Sequence, residues 1–417
     1  MTQTAIASVT AREILDSRGE PTVLAVVTLA DGLESSAAVP AGRSSGTHEA
    51  WELRDNESRF GGKGVRRAVA YVKTEIHAAL KGMDVSDQSA IDRKLIELDG
   101  TENKSRLGAN AILSVSLACA RLAALANRLP LYKYLQKLYA LPAPKHFPKP
   151  MCNILNGGLH ADNGLSFQEF MILPAGESYE LQLERAWSVI NALKDILHER
   201  GERTLVGDEG GFAPKLASNE AGLELLTAAI ERAKLQPGTD VSIGLDPASS
   251  EFHSAKGYDL QPEGKFYDAD AMIELYAKLQ AKYALKTLED GLAEDDWDGW
   301  TKLTEKLGST LTLIGDDLFV TQRDRLSQGI RAKAANAILI KPNQVGTLTE
   351  TMDTIATARD DGYGFVVSHR SGETPDTFIA DLAVAVGSPY LKAGSLTRGE
   401  RLAKYNRLLE IAAEVGA

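Results

Sequence analysis

Short apolar runs that end in a charged residue recur along the second half of the chain. The clearest is 337–340, four apolar residues that lead directly into Lys341 and are followed by the strand-breaking Pro342. Burial of an unpaired ammonium group is costly, so one such run alone would be interpreted as a lysine whose stem covers a strand end. Because the pattern recurs on both sides, it predicts a shared structural cause.

Six runs of this kind follow one another at similar intervals. The charged residues that end them are spaced by 43, 27, 25, 28 and 23 residues. These residues are Asp246, Glu289, Asp316, Lys341, His369 and Lys392. The intervening segments 270–283 and 347–362 have apolar residues at helical spacing. Alternating strands and helices are typical of a parallel sheet. Units that extend over about 270 residues favour a closed β/α barrel over the alternative, an open doubly wound sheet.

The N-terminal third has a different pattern. Apolar and polar residues alternate over 5–30, with a β-branched run at 22–29, and the turn residues at 31–32 then predict a hairpin. Residues 65–135 instead have the apolar spacing of helices. Strands followed by helices predict an α+β arrangement.

Residues 141–150 contain four prolines. Proline fixes its backbone and removes a hydrogen-bond donor, so this composition argues against a helix or an interior strand and predicts an extended connector. We therefore predict a smaller N-terminal α+β domain at 1–140 and a larger β/α barrel at 141–417. The glycines and serines of 38–50 predict a flexible loop in the first domain.

Composition narrows the functional classes. Of 417 residues, 44% are hydrophobic and 25% are charged, as in ordinary soluble proteins. The net charge of -11 argues against nucleic acid or an anionic membrane as a partner, but not against a small anionic substrate bound by a local cationic cluster. Two cysteines without close Cys or His neighbours argue against disulfides and structural zinc. We expect a cytoplasmic protein, because the N-terminus lacks a signal-peptide pattern and polar residues interrupt the longest apolar window, 109–126.

Charged residues at the carboxyl ends of barrel strands face a common mouth. The six runs therefore predict that their terminal charged residues, together with Arg370, line one pocket. The alternative is that these residues occupy unrelated positions on the surface. Three carboxylates without His or Cys suit a hard cation such as Mg²⁺. We interpret Asp290 and Asp317, which follow two of these acids, as helix N-caps. The facing cations predict a substrate with carboxylate and phosphate groups, and Arg370 and Ser371 are suited to phosphate.

Lys341 is the candidate base of this pocket. Burial and nearby cations lower the pKa of an ammonium group, and a neutral amine can remove a proton from carbon beside a carboxylate when Mg²⁺ stabilises the resulting dianion. Two earlier segments offer a proton donor, one with Glu169 and one with Glu209 on a glycine-rich turn. Paired carboxylates push one pKa upward, although a plain polar turn explains the second segment equally well.

Eleven stretches of the chain resemble the enolase (phosphopyruvate hydratase) family, and they span nearly its whole length. The first five are LDSRGEPTV, DGTENKSRLGANAILSVSLA, MCNILNGGLHADN, FQEFMILP and GDEGGFAP. The other six are LDPASSEF, EDGLAEDDWDGW, GDDLFVT, ANAILIKPNQVGTLTET, SHRSGET and RGERLAKYNRLL. Other members of the superfamily would not be expected to match both SHRSGET and KPNQVGTLTET.

The resemblance implies an N-terminal α+β domain and an atypical β/α barrel whose first elements break the simple alternation. It also implies reversible conversion of 2-phosphoglycerate to phosphoenolpyruvate and water, two Mg²⁺ ions in the active site, and a homodimer or higher homo-oligomer. By motif position, Lys341 would be the base and Glu209 the acid, supported by Glu169.

Ligand roles are likewise implied by motif position. The first Mg²⁺ would be bound by Asp246, Glu289 and Asp316, and Ser44 would help to bind the second. Contacts to the phosphorylated substrate would come from His160, Gln168, His369, Arg370, Ser371 and Lys392.

Some residues depart from the family pattern. Arg43 replaces a small residue beside Ser44, and Leu24 and Glu410 replace a Glu and an Arg that commonly pair across the dimer interface. These departures leave a second hypothesis open, a diverged paralogue that acts on a related phosphorylated or phosphonylated hydroxy acid. A third, a binding protein without turnover, is disfavoured because an idle cluster of buried charges would only lower stability.

Overall fold

The computed structural model describes residues 4–43 and 46–417, which form a three-stranded sheet with helices followed by a closed eight-stranded barrel. Ser44, the predicted ligand of a second Mg²⁺, lies outside the described residues. The predicted fold class is confirmed. The alternative of an open doubly wound sheet is wrong, because the strands close on themselves.

The N-terminal sheet is antiparallel. Its strands are β1 (Ile6–Leu15), β2 (Pro21–Leu29) and β3 (Glu34–Ala38), in that spatial order. Along β2, Val23, Ala25 and Val27 are buried while the intervening residues are half-buried, as the two-residue period of a strand requires. The predicted hairpin at 31–32 is confirmed, and Gly32 there has a φ of 88° that glycine adopts without strain.

Helices follow this sheet, as the spacing over 65–135 predicts. They are α1 (Arg66–Tyr71), α2 (His77–Leu80), α3 (Gln88–Asp99), α4 (Ala109–Ala126) and α5 (Leu131–Leu138), with a 3₁₀ turn at Arg59–Gly62 and a π-helix at Val72–Ile76. α4 packs against β2 and β3. By length and composition α4 could cross a membrane, but 83% of it is buried inside the protein, so the predicted buried helix is confirmed.

The barrel begins with β4 (Lys149–Asn156), β5 (Glu169–Pro174) and β6 (Val241–Asp246). A small inserted sheet of β7 (His253–Ser254), β8 (Gly257–Leu260) and β9 (Lys265–Tyr267) follows. The barrel continues with β10 (Leu285–Glu289), β11 (Thr312–Gly315), β12 (Ala337–Ile340), β13 (Gly364–Ser368) and β14 (Tyr390–Lys392).

The closed order is β10-β11-β12-β13-β14-β4-β5-β6. β5 runs antiparallel to both of its neighbours, whereas the other neighbouring pairs are parallel. This is the break in alternation that the resemblance implies. Each of the six predicted apolar runs is a strand that ends at its charged residue or immediately before it, so those predictions are confirmed.

Helices surround the barrel. They are α6 (Tyr179–Glu199), α7 (Glu220–Arg232), α8 (Ala269–Lys282), α9 (Trp297–Leu307), α10 (Arg323–Ala332), α11 (Pro342–Val345), α12 (Leu348–Asp360), α13 (Phe378–Val386) and α14 (Gly399–Val415), with 3₁₀ turns at Gly158–His160 and Ser249–Phe252. Side chains of Ser178, Asp268, Asp296 and Thr347 cap the first turns of α6, α8, α9 and α12.

The proline-rich connector is shorter than predicted. Residues 141–148 have no regular helix or strand, but Pro150 lies inside β4, so its exclusion from an interior strand is wrong. The amide of Lys149 donates to Pro389 O at 3.0 Å on the β14 side. The next residue therefore faces β5, whose pairing with β4 starts only at Cys152. Pro150 has no backbone N–H, but no hydrogen bond is lost there because β5 does not yet pair with β4 at this position.

Many contacts join the N-terminal part to the barrel, including the following two. Arg121 on α4 binds Asp376 through two hydrogen bonds of 2.6 and 2.5 Å. The backbone of Ala41 pairs with that of Gly372, just beyond β13. The second contact brings the predicted loop of the first domain to the carboxyl end of a barrel strand.

Candidate active site

Strand alternation determines which side chains enter the barrel. On β12, Ala337 and Leu339 belong to the inner apolar cluster, whereas Ile338 and Ile340 pack outward in the main core. Because side chains alternate with a period of two, Lys341 continues the inward row at the mouth. The same alternation applies to Glu169, two residues before Met171, and to Asp316, two residues after Ile314, since both apolar residues lie in the inner cluster.

One pocket lies at this mouth. It is lined by Gly42, His160, Gln168, Glu169, Glu209, Asp246, Ala248, Asp290, Asp316, Asp317, Lys341, Ser368, His369, Arg370, Ser371 and Lys392. Every described residue of the predicted site is in this lining except Glu289, which contacts Lys392 directly. The alternative of unrelated surface positions is therefore wrong. Gln168 Oε1 is buried here without a hydrogen-bond partner among the described residues.

Lys392 is the centre of a buried charge cluster. Its Nζ lies 2.8 Å from both oxygens of Glu289, 2.9 Å from Glu169 Oε2 and 3.3 Å from Asp246 Oδ2. Burial lowers the pKa of Lys392, but the three carboxylates outweigh burial and raise this pKa well above its usual value. The side chain of Lys392 is therefore positively charged in the mouth of the barrel.

Lys341 has one carboxylate partner. Its Nζ contacts Asp316 Oδ2, and Gln344 Nε2 donates to the other oxygen of Asp316 at 2.8 Å. Burial lowers the pKa of Lys341, but Asp316 together with Glu289 more than offsets burial and the repulsion from Arg370 and Lys392, so this pKa is raised. The prediction of a lowered pKa is wrong, because it took account of the neighbouring cations and omitted the carboxylate.

Carboxylates outnumber cations in the mouth. Six acids line the pocket, against the three cations Lys341, Arg370 and Lys392. Burial, with repulsion from neighbouring carboxylates, raises the pKa of Asp246 to about 7 and that of Glu289 to about 8. A buried excess of carboxylate oxygens fits a hard divalent cation such as Mg²⁺.

Two groups of three side chains offer ligand atoms within 4.8 Å of one another among the described residues. They are His160 with Glu169 and Glu209, and Asp290 with Asp316 and Asp317. The predicted set of Asp246, Glu289 and Asp316 is neither of these groups, and it shares only Asp316 with the second. The site thus has acidic clusters able to hold a metal ion, and the assignment of individual ligands stays a prediction.

Asp290 and Asp317 are not the helix N-caps that the sequence suggests. The two oxygens of Asp290 accept the amides of Asp316 and Asp317, each at 2.9 Å. The following helix α9 is capped by Asp296, and α10 begins after Gln322 without a side-chain cap. Asp290 instead fixes the turn that presents Asp316 to the mouth.

Glu169 and Glu209 share their surroundings with two histidines. His160 Nδ1 lies 3.6 Å from Glu169 Oε1 and 3.8 Å from Glu209 Oε1, and His369 Nε2 lies 3.3 Å from Glu209 Oε2. Burial and the charge of Glu209 raise the pKa of Glu169 well above its usual value. Burial also acts on Glu209, but His369 and His160 outweigh it and hold the pKa of Glu209 well below its usual value. One raised pKa in the pair is confirmed, and it belongs to Glu169.

The predicted phosphate contacts lie beside the N-terminal loop. Arg370 donates from both terminal nitrogens to Glu49, at 2.8 and 3.0 Å. Ser371 Oγ accepts the amide of Arg43 at 2.8 Å. The half-exposed side chain of Arg43 forms an ion pair of 2.7 Å with Asp208, the neighbour of Glu209. Arg43 therefore links the loop to the turn that carries Glu209.

Two family models match the chain and together cover most of it. The model described as "Enolase, N-terminal domain" matches residues 6–135, and that described as "Enolase, C-terminal TIM barrel domain" matches residues 144–417. The chain belongs to the enolase family. Enolase domains indicate a lyase-type enzyme, and the enolase family is in general dependent on Mg²⁺.

Sequence reasoning missed several groups that support the enolase site. Asn153 donates to Glu209 Oε2 at 3.0 Å, and Arg401 contacts His369 Nδ1 at 2.5 Å. Both lie in stretches that carry the resemblance, MCNILNGG and RGERLAKYN, which was the only signal available for them. Glu49 had no comparable signal, since 321 residues separate it from Arg370.

Proposed function

We propose that the protein catalyses the reversible, Mg²⁺-dependent dehydration of 2-phosphoglycerate to phosphoenolpyruvate and water. The observation that carries this proposal is the position of Lys341, after β12, relative to the neighbouring carboxyl groups of Glu169 and Glu209, of which Glu169 lies on β5. These strands are four places apart in the eight-stranded barrel, and so lie on opposite walls. A base and an acid group on opposite walls suit removal of a proton and a hydroxide from opposite faces of one substrate.

The side chains then have distinct tasks. Neutral Lys341 takes the proton from C2, and the remaining electron pair forms the C2=C3 bond as the hydroxyl leaves C3. Glu209 gives that hydroxyl a proton, so that it leaves as water. Because the pKa of Glu209 is lowered, Glu209 must take up a proton before this step, and Glu169, the protonated member of the pair, supports it. When bound, Mg²⁺ would supply positive charge beside the substrate carboxylate while held by Asp246, Glu289 and Asp316, with Ser44 for a second ion.

Substrate binding uses the cationic side of the mouth. Arg370 and Ser371 bind the phosphate, for which the fork of Arg370 is suited. Glu49 must share or release that fork when the phosphate enters. The remaining contacts come from His160, Gln168, His369 and Lys392.

The test is formation of phosphoenolpyruvate, followed by the absorbance of the enol product. We expect turnover with 2-phosphoglycerate at millimolar Mg²⁺, complete loss on addition of a chelator, and recovery when Mg²⁺ is restored. Folded protein without turnover under these conditions would contradict the proposal and would favour a binding protein.

Arg43 supports a second candidate function. It adds a half-exposed cation at the rim of the mouth, which a related phosphorylated or phosphonylated hydroxy acid could use. The same assay with phosphonate analogues separates the two candidates. A kcat/KM that is higher for an analogue than for 2-phosphoglycerate would favour the diverged paralogue.

Replacement of Arg43 by alanine tests the contact between the loop and the turn. An exposed ion pair contributes about 0.2–1 kcal/mol, so we expect Arg43→Ala to raise KM by at most about fivefold at low salt, with little change in kcat. The difference should shrink at high salt because of screening. The matched control is Arg232→Ala, which removes the exposed ion pair to Glu199 away from the mouth. Equal KM values for wild type and Arg43→Ala at low salt would show that the ion pair has no role.

We also propose a cytoplasmic homodimer. Glu410 is exposed and pairs with Arg407 of its own helix at 2.9 Å, while Leu24 is half-buried on β2. An interface at these positions would therefore rest on an apolar Leu24 contact without an intersubunit salt bridge there. A monomeric mass by light scattering would contradict this proposal.

A further inference from the structure

Helix α14 carries two fully buried cations one turn apart, Arg401 and Lys404. Such residues are rarely buried without partners. Lys404 has a carboxylate partner, Glu373 Oε2 at 2.7 Å, and also donates to Thr374 O at 2.5 Å. Neither cation belongs to the pocket lining. Both instead contact the segment that follows β13, on the side facing away from the pocket.

Arg401 has a different set of partners. Its Nη1 lies 2.5 Å from both His369 Nδ1 and Arg370 O. Its Nη2 donates to Ser371 O and, at 3.2 Å, to Asp208 O. The nearest carboxylate is Glu400, whose Oε1 lies 3.3 Å from Nε. Arg401 therefore ties the segment that carries His369 to the turn that carries Glu209.

The contact with His369 has a chemical consequence. A guanidinium group has only donors and keeps its proton throughout the physiological range. His369 Nδ1 must therefore accept, and the proton of the neutral imidazole must be on Nε2. That nitrogen lies 3.3 Å from Glu209 Oε2 without an aligned hydrogen bond among the described residues, so the selected tautomer places a donor beside Glu209.

We propose that Arg401 is a positioning residue that fixes His369 as the Nε2–H tautomer and so places a hydrogen-bond donor beside Glu209. This inference rests on the proposed function for the role of Glu209 as the acid, but its geometric part does not depend on turnover. In the elimination, the donor would help to stabilise Glu209 once it has given up its proton.

The protonation state of His369 is compatible with this role. Burial lowers the pKa of His369 to about 3, with Glu209 opposing this shift and Arg401 adding to it. The imidazole is therefore neutral at ordinary pH. Its tautomer is the variable that Arg401 can set.

The tautomer can be measured directly in the full-length wild-type protein. The chain has seven histidines, so ¹⁵N-histidine labelling gives a small set of imidazole signals, and His369→Gln identifies the relevant pair by its absence. We expect an unprotonated Nδ1 and a protonated Nε2 for His369. A protonated Nδ1 would overturn the proposal, whether or not the protein turns over 2-phosphoglycerate.

Variants test whether Arg401 is the cause. In Arg401→Gln we expect the Nδ1 signal to move and kcat to fall by about 10- to 100-fold, the usual cost of losing a group that orients a functional side chain, with KM nearly unchanged. Arg401→Lys should also move the Nδ1 signal but recover part of kcat, because it keeps a cationic donor. It serves as the test if the glutamine variant does not fold.

The matched control is Lys404→Met, which removes the other buried cation of α14 and does not contact His369. We expect it to lower Tm and to leave the His369 signals in place. A purely structural role for Arg401 would give the same pattern in both variants, with lower Tm and an unchanged tautomer, and would overturn the proposal. An unchanged Nδ1 signal in a folded Arg401 variant would also overturn it.

Discussion

Replacement of Lys341 by alanine is expected to abolish exchange of the α-proton of 2-phosphoglycerate with solvent. A general base typically contributes about 10²- to 10⁴-fold to a rate, and kcat should fall by at least that factor. Mg²⁺ binding should persist, because the carboxylates of the mouth are unchanged. Incorporation of deuterium at C2, measured by mass spectrometry in D₂O, follows the proton-transfer step separately from product formation.

The control for this variant is Lys302→Ala, which removes an exposed lysine paired with Asp270 at 2.8 Å on the outside of the barrel. It should exchange and turn over as wild type does. Exchange at the wild-type rate in Lys341→Ala would contradict the assignment of the base. Loss of Mg²⁺ binding in that variant would instead indicate that Lys341 acts by holding Asp316.

The pairing of Lys341 with Asp316 imposes a condition on Lys341 as the base, because it determines whether the amine is protonated. The raised pKa of Lys341 favours an ammonium ion, which cannot accept a proton. Removal of the α-proton therefore requires the contact with Asp316 to open and Lys341 to lose a proton first. Local pairing sets the protonation state here more strongly than burial does.

The positions of the six charged residues at the strand ends were predictable because strand periodicity acts over short distances, whereas His160, Gln168 and Glu209 were assigned to the site only by the resemblance. An apolar run that ends in a charge specifies both the strand and the side chain at its mouth, as for Asp316 and Lys341. Hydrogen-bond directions within a strand were not predictable in this way. Pro150 shows this, because its tolerance depends on where the neighbouring strand begins to pair.

Contacts between distant parts of the chain were also beyond the sequence pattern. Arg401 and Lys404 look like surface charges on a helix, yet both are fully buried. Their partners His369 and Glu373 lie some thirty residues earlier in the sequence, a separation of about one βα unit. Only the closed fold reveals that these cations face the back of the active site instead of solvent.

Replacement of Glu209 by glutamine is expected to block elimination while still permitting exchange of the α-proton. An amide has nearly the shape of the acid but cannot give the departing hydroxyl a proton, so product formation should fall by about 10²- to 10⁴-fold. Exchange should continue because Lys341 is intact. Phosphoenolpyruvate formation and deuterium incorporation, measured on the same sample, separate the two steps.

Glu169→Gln is the matched control, since the two carboxyl groups share one site and receive the same substitution. The pKa of Glu169 is raised, so this group is the protonated member of the pair, whereas the pKa of Glu209 is lowered. Glutamine resembles a protonated glutamate in charge, and Glu169→Gln should therefore retain more product formation than Glu209→Gln. The opposite order would make Glu169 the proton donor and Glu209 its support. Equal loss of exchange in Glu209→Gln and Lys341→Ala would instead mean that both residues are needed for the first proton transfer. The assignment of Lys341 as the base and Glu209 as the acid would then be wrong.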